Sequence, residues 1–225
     1  MSRRMIPDAA TVGLWRLDEA AGGNAVDVGP NGLTGTNYGS TAIAVVGLPF
    51  AYARHFVRSS TQYILVPHNA ALHPATITVE MWANLAADSV GEGLADKYGS
   101  GGWETYKRAD NKIAMYLNAA GGQEVNTPIV AGAMTYYALT FDGRYIRVFV
   151  NGVLANTNDL GSTYSIVYGG TPTLKIGMIW DNTHNLNGDL AEIRVSNRAR
   201  TTWEIYNTWQ GLQARDPVAG FGVES

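Results

Sequence analysis

Cysteine is absent from the 225 residues. That excludes disulfides, thiolate metal centres and a thiol nucleophile, and leaves the redox compartment open. Charge is also scarce: Asp, Glu, Lys and Arg make up 16% of the chain, against about 25% in ordinary soluble proteins. The net charge is −3, so no basic field is available to attract nucleic acid. No apolar run approaches the roughly 20 residues that a membrane helix needs. The segment Met1–Asp8 carries Arg3 and Arg4 with no apolar stretch after them, so no secretory signal peptide is visible. The histidines, His55, His68, His73 and His184, have no metal-ligand spacing such as His-x-x-x-His.

What the chain does have is apolar and aromatic material: 46% hydrophobic residues, 26 Gly, 12 Tyr and six Trp. So many glycines and so few charges argue against a mainly helical protein, and Tyr and Trp belong to sheets and binding surfaces. In Tyr137–Phe141 the large apolar residues alternate, placing Tyr137, Leu139 and Phe141 on one face of a strand. Asp142-Gly143 follows, a pair suited to a tight turn, and then Tyr145–Val150, with Ile146, Val148 and Val150 on one face. Asn151-Gly152 marks a second hairpin into Val153–Ala155. Further strands are predicted at Gly13–Arg16, His55–Phe56, Tyr63–Val66, Thr76–Trp82, Glu104–Arg108, Lys112–Leu117, Thr173–Ile179 and Leu190–Val195. In the last, Ala191, Ile193 and Val195 are expected inside, Glu192 and Arg194 outside. Short strands separated by turn residues predict an all-β fold, a two-sheet antiparallel β-sandwich.

One short C-terminal helix is predicted. Thr201 and Glu204 have the spacing of a capping box, and Trp203, Tyr206 and Trp209 form a stripe expected to dock on the sandwich. The tail Gln213–Ser225 is expected to be extended or mobile.

Several segments taken in order carry a resemblance. They are Gly13–Glu19, Asp27–Gly35, Tyr63–Pro67, Thr78–Trp82, Phe141-Asp142-Gly143 with Val148–Gly152, Leu174–Gly177, and Leu186–Val195 with Ser196–Arg200. Each is weak alone, but the ordered set, from about Val12 to Tyr206, resembles a laminin-G-like domain of the concanavalin-A-like lectin/glucanase group. The resemblance implies a jelly roll over residues 12–210, with an N-terminal arm over 1–11 and a tail over 211–225. Trp82 and Phe141 would supply core surface, and Gly188 would let a loop pass close to the sheet. One departure stands out: where the family often has Trp before the strand at Tyr137, this chain has Met134-Thr135-Tyr136, so Tyr136 is expected to fill that space.

Hydrolase relatives carry Glu-x-Asp-x-(x)-Glu on one strand, because retaining hydrolysis needs paired carboxyls across a cleft. No such run occurs here, and no catalytic residue is assigned. Family members often bind calcium, which would call on Asp18, Asp27, Asn31 and Asp189. Those residues also suit turns and caps, and no compact Asp-x-Asp-x-Asp loop is present.

Binding is the better-supported expectation. Two aromatic loops offer flat rings beside polar groups. One is Asp96–Trp103, with Tyr98 and Trp103; the other is Trp180–Asn185, with Trp180, Asp181, Asn182 and His184. Tyr164 and Tyr168 form a lesser third candidate. A start at Met with no visible leader favours a virion protein, such as a phage capsid decoration or tail component, that binds host glycans or cell surface. The short arm and the Pro/Gly tail would suit docking on a particle. The alternatives are a purely structural assembly protein, whose partners are other virion proteins, and a glycan-active enzyme. The expected setting is a virion or extracellular surface, with no nucleic-acid or membrane partner; self-association into a homo-oligomer is left open.

Overall fold

The computed structural model describes residues 4–39, 41–45 and 51–211. The tail predicted beyond Gly211, and Met1 to Arg3 of the arm, lie outside the described residues. In chain order the strands are β1 (Thr11–Trp15), β2 (Thr36–Tyr38), β3 (Ala42–Val45), β4 (Tyr52–Phe56), β5 (Tyr63–Val66), β6 (Ile77–Leu85), β7 (Glu92–Tyr98) and β8 (Gly102–Lys107). Then come β9 (Lys112–Leu117), β10 (Gln123–Pro128), β11 (Thr135–Phe141), β12 (Tyr145–Val150), β13 (Val153–Asp159), β14 (Leu174–Ile176), β15 (Gly188–Ser196) and the helix α1 (Thr202–Gln210).

The strands form two antiparallel sheets, which makes the molecule a sandwich. An eight-stranded sheet runs β13-β12-β11-β6-β15-β4-β3, with β1 paired to β15, and a seven-stranded sheet runs β10-β9-β8-β7-β14-β5-β2. Strands β5, β9 and β12 coincide with their predicted bounds. Strands β2, β3, β7 and β10 are additional to the predicted set. The Asn151-Gly152 turn takes left-handed backbone at both residues (φ 49° and 78°), as the hairpin chemistry requires.

The main core lies between the sheets. Tyr137, Leu139, Phe141, Ile146 and Val148 face Ile64, Val66, Trp103, Met115 and Ile176. A second apolar layer covers the outside of the eight-stranded sheet, where Leu14, Trp82, Tyr136, Phe149 and Ala191 meet Met5 and Ile205. Trp82 and Phe141 are both buried, each a burial worth about 2–3 kcal/mol. Tyr136 fills its expected place, its ring 5.5 Å from that of Trp82. A Cβ on Gly188 would lie 2.4 Å from the Asn84 carbonyl oxygen, so the close approach inferred there is real.

Three expectations need correction. In β15 the register shifts between Ala191 and Arg194, and Glu192 has φ 52°. The bulge turns Ala191 to the outer layer, while Leu190, Ile193 and Val195 face the main core. In α1 the capping box forms at Thr201 and Glu204, but the aromatic stripe faces away from the sandwich. Ile205 and Thr208 are the buried positions; Trp203 is 69% exposed and stacks on Tyr206 at 6.3 Å, and only Trp209 packs against the outer layer. The described arm, finally, packs on this chain itself: Met5 is fully buried, and Arg4 pairs with Asp18 and Glu192.

Beneath the arm and α1, Glu80 of β6 is buried. Arg194 of β15 grips it with two hydrogen bonds (2.6 and 2.7 Å), the Tyr136 hydroxyl donates at 2.6 Å, and Arg200 lies 3.1 Å away. Burial alone would raise the Glu80 pKa; the two guanidinium groups outweigh it and hold the carboxyl below its ordinary range. Breaking a buried pair from one side leaves an uncompensated charge, which costs about 3–5 kcal/mol. Glu80→Gln is therefore expected to lower unfolding stability by that amount in urea titration, and Tyr136→Phe by about 1 kcal/mol. Equal losses in the two variants would refute the ranking.

Candidate functional site

The outer face of the seven-stranded sheet is polar and aromatic. It is built by one hairpin and its neighbours. Strands β7 and β8 pair with Asp96 opposite Glu104, Lys97 opposite Trp103 and Tyr98 opposite Gly102. Only residues 99–101 connect them. Gly102 has φ 125°, and a Cβ there would lie 2.2 Å from the Lys97 carbonyl oxygen, so the turn depends on glycine. Side chains alternate along a strand. Trp103 and Lys107 therefore point inward and are fully buried, while Glu104 and Tyr106 point outward. Glu104 lies opposite Tyr116 of β9, which lies opposite Glu124 of β10.

Trp103 is thus corrected from a ligand-binding candidate to a core residue. It has no exposed surface, and its indole N–H points to the Leu72 carbonyl at 3.4 Å. The remaining five candidates come together. The Trp180 amide donates to Asp96 at 2.6 Å, which ties the 180–184 loop to β7. The Trp180 ring, 49% exposed, stands 6.2 Å from Tyr98, whose ring meets Tyr116 edge-on at 5.6 Å. Asp181 accepts from the Thr183 amide and hydroxyl, and Asn182 accepts from Lys175 at 2.7 Å. His184, exposed, bonds to Thr183 and borders a cleft of about 480 Å³ with Glu92, Glu104, Tyr106, Arg108 and Ile179. The third candidate does not join them: Tyr168 stacks on His73 at 4.1 Å and donates to the Pro74 carbonyl.

A carboxyl pair lies at the centre of this face, and the search along single strands overlooked it. Asp96 accepts from the Tyr98 and Trp180 amides, each at 2.6 Å, and lies opposite Glu104 on the paired strand. Burial pushes Asp96 up to about 7 against the pull of those amides. Burial and the neighbouring Asp96 charge push Glu104 up to about 8. Both carboxyls are thus pushed toward their protonated forms, and the raised titration belongs to the pair. Register could have revealed the pair: once Gly99–Gly102 is taken as a turn, 96 and 104 must face each other. To one side Glu124 accepts from the Tyr106 hydroxyl and from Arg108. Burial, followed by that bond to Glu124, pushes the Tyr106 pKa upward.

The calcium candidates each bond within the chain. Asp18 pairs with Arg4, Asp27 accepts from the Leu14, Gly29 and Leu33 amides, Asn31 donates to the Val12 carbonyl, and Asp189 bonds to His55 and Asn84. Their oxygens serve turns and pairs, the role that Asp and Asn often play in loops. Among the described residues no group of three or more His, Asp or Glu could hold a metal ion.

A two-sheet jelly roll with an aromatic, carboxyl-bearing face defines a lectin-like sandwich. The profile of the concanavalin A-like lectin/glucanases superfamily, Laminin_G_3, matches residues 58–206, and the chain belongs to that family. The binding domain of Paraclostridial Mosquitocidal Protein 1 superposes with a TM-score of 0.71 at 11% identity, over 88% of this chain and 52% of that one. The botulinum neurotoxin serotype D ligand-binding domain in complex with N-acetylneuraminic acid gives 0.67 at 12%, over 90% and 51%. The binding domain of botulinum neurotoxin DC in complex with rat synaptotagmin II gives 0.68 at 13%, over 91% and 52%. The chain thus spans about half the length of these structures, and at such identity the likeness is one of fold. No curated protein matches the sequence.

The raised pair carries a pH signature. The unfolded chain releases these protons near the ordinary values of 3.8 and 4.5. The folded protein keeps them, so the pair favours folding at low pH, and that contribution is lost as pH rises through about 7 and 8. Glu104→Gln, a neutral isostere, is expected to melt with the wild type near pH 5 and above it near pH 8.5. Parallel melting-temperature curves across that range would show that Glu104 is not protonated as described.

Proposed function

We propose that the chain is a non-catalytic recognition module that binds a host glycan or cell-surface ligand on the outer face of its seven-stranded sheet. The observation that carries this reading is the cluster of Tyr98, Tyr116 and the half-exposed Trp180 around buried polar groups, next to an open cleft. Flat rings supply area for the apolar faces of a sugar, and a few fixed polar groups orient it. The family and the receptor-binding domains of similar fold support a binding role.

On a glycan array the wild type is expected to give hits that Trp180→Ala or Tyr98→Ala weakens about tenfold or more, while Val153→Ala on the opposite sheet leaves them intact. An array without hits would remove the glycan reading. The carrier we propose is a virus particle. The protein is then expected in purified particles at fixed stoichiometry, and its absence from them would remove that carrier.

A further inference from the structure

We propose that His68 and His73 form an acid-sensitive latch. Uncharged, they hold the segments over 68–74 and 166–172 against the buried ammonium of Lys97; protonated, they release them.

Lys97 of β7 points inward, opposite Trp103, and is fully buried. Its ammonium donates to the Pro172 carbonyl and, at 3.2 Å, to Nδ1 of His68. An ammonium can only donate, so Nδ1 of His68 accepts and that ring carries no charge. Burial lowers the Lys97 pKa to about 8, which leaves the group mostly charged at neutral pH. Among the described residues no carboxylate offsets that shift.

His73 completes the group. Its ring meets that of His68 edge-on at 4.9 Å and stacks on Tyr168 at 4.1 Å. Its Nε2 is buried with no hydrogen-bond partner. Burial, followed by the charges of Lys97 and His68, holds the His73 pKa below its ordinary value of 6.5. The Tyr168 phenol, which burial raises, stays uncharged and donates to the Pro74 carbonyl. Asp96, Glu104, Tyr98 and Lys175 belong to the other face of the sheet, because side chains alternate along each strand. Three nitrogen bases thus meet on the inner side with no acid among them.

Two segments are fastened at this point. The first contains a single 3-10 turn, Ala70–Leu72, capped by the Asn69 side chain and rooted in the main core by Leu72. The second joins it through the Tyr168 ring and hydroxyl. The second also packs behind the turn between β7 and β8. A Cβ on Gly169 would lie 2.1 Å from Ser100 Oγ, and one on Gly101 would lie 2.6 Å from the Val167 carbonyl oxygen. The latch therefore backs the turn that follows Tyr98.

Protonating His68 places an N–H on Nδ1, where an ammonium already donates from 3.2 Å. Lys97 is held inside by its strand, so the histidine ring is the group that swings out. Protonating His73 charges a ring whose Nε2 is buried without a partner, beside two other bases. The unfolded chain takes up the His73 proton near 6.5, and the closed latch resists it. Closure is therefore fully favoured above that pH and weakens as the pH falls below it.

The test is hydrogen–deuterium exchange of the full chain near pH 7.5 and near pH 5.5, with rates corrected for the intrinsic effect of pH. Peptides over 68–74 and 166–172 are expected to lose about tenfold or more of their protection at the lower pH, while β11 and β12 keep theirs. His68→Gln keeps an acceptor for Lys97, and His73→Phe keeps a ring on Tyr168; neither new side chain titrates. The double variant is expected to stay protected at both pH values. Equal protection of the wild type at the two pH values overturns the latch. A loss spread over β11 and β12 as well overturns it, since it marks general unfolding. A loss in the double variant as large as in the wild type also overturns it. Should the double variant misfold, each single variant is expected to lose less protection than the wild type, and a full loss in both overturns the proposal.

Discussion

A buried carboxylate must find its neutralising charge inside the protein, and Glu80 finds it by drawing together elements far apart in the chain. Arg194 reaches it from the next strand, Tyr136 from the strand on the other side, and Arg200 from the segment before the helix. The same guanidinium groups bond outward. Arg194 donates to the Ile6 carbonyl and the Thr208 hydroxyl, and Arg200 pairs with Asp8. Arm, central strands and helix are thus fastened to one point. The outer apolar layer of Met5, Trp82, Tyr136 and Ile205 closes over it. One sheet of the sandwich is thereby committed to architecture on its outer face, while the outer face of the other sheet carries the rings of Tyr98, Tyr116 and Trp180.

Most of the scaffold was legible because its strands obey period-two patterning and its turns use Asp-Gly and Asn-Gly. Strands β5, β9 and β12 show this residue by residue. Of the strands that escaped notice, β2 has three residues, and β7 begins between Gly91 and Gly93 and ends before Gly99. Local composition marks such a segment as a loop, and only pairing with a neighbouring strand makes it a strand. The bulge at Glu192 was invisible for a related reason, since alternation assumes an unbroken ladder. The helix was found through its cap, yet its docked face was misjudged. Trp203 and Tyr206 outweigh Ile205 and Thr208 in bulk, but the sheet offers room to the smaller pair.

The candidate site was half legible. Aromatic residues near glycines marked two loops, and five of the six side chains named there share one face. Trp103 was misplaced because a hairpin read as a loop hides the alternation that sends it inward. Asp96 and Glu104 were overlooked because their pairing is a property of strand register, whereas a motif is a property of one strand. Of the calcium candidates, Asp27 and Asn31 share the turn over residues 27–33 beside β1, while Asp18 and Asp189 bond to Arg4 and His55.

The bond from Asp96 to the Trp180 amide has an evolutionary consequence. It holds the 180–184 loop through its main chain, so the anchor takes no account of which side chain stands at position 180. Substitutions there can exchange one ring for another, or remove it, while the loop keeps its place above the sheet. The face can thus diversify in its side chains while the sandwich beneath it remains unchanged.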